Sequence, residues 1–141
     1  LLRLPFLGWY FRKAGCIAVD RSGGMKALRR LRDDAVAAAG AGRSILIFPQ
    51  GTRAAPGASL RYEIGVFSLY EATGLPVVPI ALNSGHVWGR KSWLKRSGQI
   101  EVEFLPPIPP GLSRREFMAR LEDDIESRMV VLDAPYLDSN G

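Results

Sequence analysis

The sequence has one cysteine, Cys16, and one histidine, His86. A lone cysteine forms no internal disulfide, and one His with one Cys cannot supply the three or four ligands of a zinc site. A reducing, cytosol-facing compartment fits best. The chain has no apolar run of the ~18 residues that a membrane-spanning helix needs, and its opening, Leu1-Leu2-Arg3-Leu4-Pro5, lacks the layout of a signal peptide. A Gly-x-x-x-x-Gly-Lys loop, a Gly-x-Gly-x-x-Gly after a strand and an RNA-binding aromatic pair are also missing, which argues against nucleotide or nucleic-acid partners. The first residue is not Met, so the chain reads as a fragment.

The sequence does have the means to build one compact α/β domain. It has 141 residues, 47% apolar and 23% charged, an ordinary globular composition. Nineteen Lys and Arg against fourteen Asp and Glu leave a net charge of +5, which favours anionic partners: phosphorylated substrates, lipid headgroups or nucleic acid.

Cys16-Ile17-Ala18-Val19 reads as a short buried strand that runs into the polar turn Asp20-Arg21-Ser22-Gly23-Gly24. From Met25 to Ala39, Leu28, Leu31, Ala35 and Ala38 recur at helical steps opposite Arg29, Arg30, Asp33 and Asp34, with Gly40 and Gly42 as the stop. Ser44-Ile45-Leu46-Ile47-Phe48 reads as a central strand covered on both faces. The spacing predicts a helix over Gly65 to Thr73 closed by Gly74. A strand over Val77 to Leu82 follows, set at an edge or strand end by Pro79. In Ile100 to Leu105, Ile100, Val102 and Phe104 alternate with Glu101 and Glu103, as in a peripheral strand with one wet face. Ser113 and Glu116 form a capping box before a helix carrying Phe117, Leu121, Ile125 and Met129 on one face. This alternation predicts a layered sheet, largely parallel and flanked by helices, in a single domain without repeats.

In such a sheet ligands favour the loops beyond the carboxyl ends of strands, here Asp20 to Gly24 and Pro49-Gln50-Gly51-Thr52-Arg53. Gly51 permits close backbone approach to an anion, Thr52 offers a hydroxyl and Arg53 a planar fork of donors matched to phosphate. On chemistry alone the loop is either a phosphate site or a turn with a solvated arginine.

Phe48-Pro49-Gln50-Gly51-Thr52-Arg53 resembles, at five of six positions, the Phe-Pro-Glu-Gly-Thr-Arg block of the glycerolphosphate acyltransferase superfamily. Gly15-Cys16-Ile17-Ala18-Val19-Asp20-Arg21 is similar to the block that precedes it there, and Val77-Val78-Pro79-Ile80 to the one that follows. Leu4-Pro5-Phe6-Leu7-Gly8-Trp9 resembles the segment between the first two blocks. The resemblance implies acyl transfer from acyl-CoA or acyl carrier protein to lysophosphatidate, giving phosphatidate, with no metal or redox cofactor. It assigns the acceptor phosphate to Arg21, Gln50, Gly51, Thr52 and Arg53.

The family's general base is a His followed, after four residues, by Asp; the resemblance places that block before Leu1. Residues 1–141 then form one partial acyltransferase domain, inactive by itself. His86 does not replace the base, because Lys91 stands five positions on; it reads as a loop or pocket-rim residue. Two departures bear on the site. Gln50 stands where the family has Glu, and Glu63 near where relatives carry Lys, so either Arg61 substitutes for that cation or Glu63 points away from the site. These two features favour the alternative of a non-catalytic phospholipid- or phosphate-binding module of the same fold.

Trp9 and Phe11 beside Arg12 and Lys13, and Trp88 and Trp93 beside Arg90, Lys91, Lys95 and Arg96, combine apolar anchors with cations suited to anionic headgroups. A position at the cytoplasmic face of the inner membrane follows as an expectation. Core packing of a terminal helix accounts for the first cluster equally well.

Overall fold

The computed structural model describes Trp9, Lys13, Ala58, Trp93 and residues 16–17, 24–52, 61–89 and 96–137. The chain divides into two compact units, Leu1–Leu46 and Ile47–Gly141. Arg21, Arg53, Phe11 and most of the turn after Val19 lie outside the described residues.

The described part of the first unit is dominated by helix α1, Gly24–Gly40. Ala35 is buried and Leu28, Leu31 and Ala38 are half-buried, whereas Arg29, Arg30, Asp33 and Asp34 face solvent, as the periodicity predicts. The helix unwinds through Gly42, whose φ of 71° is the left-handed conformation that suits glycine, and Arg43 N–H closes onto the Ala38 carbonyl.

In the second unit, helix α2 spans Gly65–Thr73 and stops at Gly74 with φ 61°, where the Gly74 N–H bonds the Tyr70 carbonyl. Strands β1 (Ile80–Leu82) and β2 (Val102–Phe104) pair antiparallel, Ala81 opposite Glu103. An isolated bridge joins Val77 and Ile108. Helix α3, Arg114–Leu137, ends the described chain. The capping box is formed: Ser113 Oγ accepts from the Glu116 N–H, and the Glu116 carboxylate accepts from the Ser113 N–H at 3.0 Å and from its hydroxyl. These bonds to the ionised form hold the Glu116 carboxyl below its ordinary range.

The core gathers Tyr62, Val66 and Tyr70 against Ile108 and the α3 stripe Phe117, Leu121 and Ile125. Tyr70 and Phe117 stack with ring centroids 4.0 Å apart. The Tyr70 hydroxyl satisfies itself within this apolar layer by donating to the Pro109 carbonyl and accepting from the Leu112 N–H.

Three expectations about the sheet change. Among the described residues the sheet is a two-stranded antiparallel pair, not a largely parallel layer. Residues 44–48 join no strand among the described residues, and Leu46 and Phe48 are exposed rather than covered. In β2 the faces are reversed: Val102 and Phe104 are exposed, while Glu103 ion-pairs with Arg128 on α3. Ala81, fully buried beside Glu103, is small enough to let α3 approach, and the long stems of Glu103 and Arg128 span the remaining gap.

Candidate functional site

The chain leaves residues 44–48 through a tight turn in which the Gly51 N–H bonds the Phe48 carbonyl at 3.0 Å. Gly51 has φ 62°, a backbone state that costs any residue with a Cβ. The turn is held from below by the Glu63 N–H, which donates to the Pro49 carbonyl at 2.8 Å. A Cβ at Gly51 would sit 3.1 Å from Glu63 Cγ and 3.7 Å from its Cδ. Glu63 therefore does not point away from the loop: its side chain lies along Gly51, and Arg61 is exposed.

A second support comes from α3. The Tyr62 hydroxyl donates to Glu126 Oε1 at 2.9 Å, and Gln50 Nε2 donates to the same oxygen at the longer distance of 3.4 Å. Burial first, and then the Glu126 carboxylate, push the Tyr62 phenol well above its ordinary value, so it stays a neutral donor. Loop and helix are thus linked through one carboxylate oxygen. Sequence spacing gave no hint of Glu126, which lies 76 positions from Gln50.

The structure brings Gln50, Gly51 and Thr52 together on this turn, with Thr52 exposed and Gln50 and Gly51 half-buried. Arg53 and Arg21 lie outside the described residues. Of the aromatic anchors, Trp9 and Trp88 are each more than half exposed and Trp93 is wholly exposed. Lys13 Nζ stands 4.5 Å from the Trp9 ring centroid, a cation–π contact.

His86 is more tightly placed than a rim residue. Its Nε2 lies 2.8 Å from Asp133 Oδ1, both side chains being nearly buried, and its ring stacks on Tyr136 at 4.4 Å. The pair ties the 83–89 loop to the C-terminal turns of α3, and the Arg96 N–H closes the same loop onto the Val87 carbonyl. Among the described residues, no group of three or more His, Cys, Asp or Glu is placed to hold a metal ion, and no helix is long and apolar enough to cross a membrane.

Residues 1–83 match the acyltransferase family model, and that stretch contains the Gln50-Gly51-Thr52 turn. The chain belongs to the acyltransferase family. It is similar to 1-acyl-sn-glycerol-3-phosphate acyltransferases from Pseudomonas aeruginosa (39% identity over 77% of the chain and 42% of the relative) and Haemophilus influenzae (29% over 99% and 60%). The Escherichia coli protein of the same name is 29% identical over 94% of the chain and 56% of its own length. The chain thus spans 42% to 60% of these three curated relatives. No solved structure matches it.

Proposed function

We propose that this acyltransferase chain is the acceptor-binding part of an enzyme that moves an acyl group from acyl-CoA or acyl carrier protein to 1-acyl-glycerol-3-phosphate, forming phosphatidate for phospholipid synthesis. The observation that carries the reading is the Phe48-Pro49-Gln50-Gly51-Thr52-Arg53 turn, found within a chain whose relatives bear that activity in their names.

In this reading the acceptor phosphate is held by the Gly51 turn, the Thr52 hydroxyl, the Gln50 amide and the guanidinium groups of Arg53 and Arg21. The acceptor's free hydroxyl attacks the thioester carbonyl, a carbon–oxygen bond replaces the carbon–sulfur bond, and the thiol leaves with the hydroxyl proton. Removal of the hydroxyl proton calls for a general base, and His86 has Lys91, not Asp, five positions on. Lysophosphatidate is a membrane lipid; Trp9, Phe11, Trp88 and Trp93 with their neighbouring cations then serve as contacts to an anionic bilayer surface on the cytoplasmic side.

Glu63 lying along Gly51 favours a second reading, a phospholipid-binding module without catalysis, because a carboxylate there weakens the field for phosphate. An acceptor panel separates the two: the full-length protein is given labelled acyl-CoA or acyl carrier protein with lysophosphatidate, lysophosphatidylcholine or monoacylglycerol. Preferential labelling of phosphatidate supports the enzyme; binding of lysophosphatidate without transfer from either donor supports the module.

A further inference from the structure

The residue facing the Gln50 amide is a carboxylate. Glu126 Oε1 accepts from both Gln50 Nε2 and the Tyr62 hydroxyl. Tyr62 is followed directly by Glu63, whose stem packs on Gly51 and whose N–H bonds the Pro49 carbonyl. Both sides of the turn are thereby fixed to the same point on α3, and that helix is fixed in turn by Phe117, Leu121 and Ile125 in the core.

The acidic groups around this point are Glu126, Glu122 one turn earlier on α3, and Glu63 beside Gly51. A glutamate at position 50 would add a carboxylate within reach of Glu126 Oε1. It would also lose the amide donor that now bonds there, so an attraction would become a repulsion. Glutamine keeps the length of the side chain and supplies the proton.

We propose that Glu126 is the positioning residue of the acceptor-phosphate loop, and that Gln50 and Glu126 are a matched pair in which one member must be neutral. Glu126 holds the loop from the helix through Gln50 and Tyr62. The proposal rests on the acceptor-phosphate reading of the turn and adds the residue that sets its geometry.

The test is a charge-exchange cycle in the full-length protein: Gln50→Glu, Glu126→Gln and the double variant, each measured for KM and kcat with lysophosphatidate and for melting temperature. Gln50→Glu should raise KM about tenfold and lower the melting temperature. Glu126→Gln keeps an acceptor for Tyr62 and removes the like charge, so the double variant should recover a measurable part of the KM and melting temperature that Gln50→Glu loses. A merely structural pair would move the melting temperature and leave KM where it was. A double variant no better than Gln50→Glu, or a KM unmoved by Gln50→Glu, overturns the proposal. If the wild type does not acylate lysophosphatidate, the functional reading fails, and the melting-temperature cycle still decides the pairing: additive effects of the two substitutions overturn it.

Discussion

Gly51 and Tyr62 carry the local geometry of the loop in different ways. Gly51 supplies a left-handed backbone and room for the Glu63 stem. Gly51→Ala is expected to cost about 1–3 kcal/mol, from strain at positive φ and the 3.1 Å approach to Glu63 Cγ, and a denaturant titration measures it. Tyr62 supplies a buried proton donor. Because its folded-state value is raised above the ordinary 10.0, the stability it contributes is complete below pH 10 and falls as pH rises further, when the unfolded phenol ionises first. Tyr62→Phe should therefore unfold less steeply with alkali above pH 10 than the wild type, a comparison that circular dichroism can make. At this scale the sequence was informative about Gly51 and Thr52, whose chemistry is intrinsic, and silent about Tyr62 and Glu126, whose roles arise only from a contact across 64 positions.

At the scale of elements, α3 was the most legible part of the chain because both its start and its buried face are local properties. Phe117 is fully buried and stacks on Tyr70, so Phe117→Ala should destabilise by about 3–5 kcal/mol in equilibrium unfolding. The capping box has a pH signature. Glu116 is depressed on folding, so its stabilising effect is present above its ordinary value of 4.5 and lost as pH falls through the lowered folded-state value. The difference in melting temperature between wild type and Glu116→Gln should accordingly be larger at pH 7 than at pH 3. Helices α1 and α2 were also readable, from apolar spacing and terminal glycines. The strands were not. Alternation in Ile100 to Leu105 shows that two faces differ, not which one a helix covers; Glu103 turned inward because Arg128 on α3 meets it. The apolar run 44–48 could not show whether neighbouring strands exist, since pairing is a property of partners elsewhere in the chain.

At the scale of the whole molecule, the acyltransferase blocks were legible because they are contiguous: a strand-like run, a glycine turn and an arginine read as one unit. The departures, Gln50 and Glu63, were visible as residues but not as geometry; the structure sets Glu63 along Gly51 and gives Gln50 a carboxylate partner on α3. In the proposed function the Gln50 to Arg53 turn holds the acceptor's phosphate. The most direct test compares wild type and Arg53→Ala in the full-length protein, with initial rates of acyl transfer measured against lysophosphatidate concentration. A rise in KM of about tenfold or more is expected, the loss that follows removal of a bidentate guanidinium–phosphate contact. An Arg53→Ala enzyme with unchanged KM and kcat would contradict it.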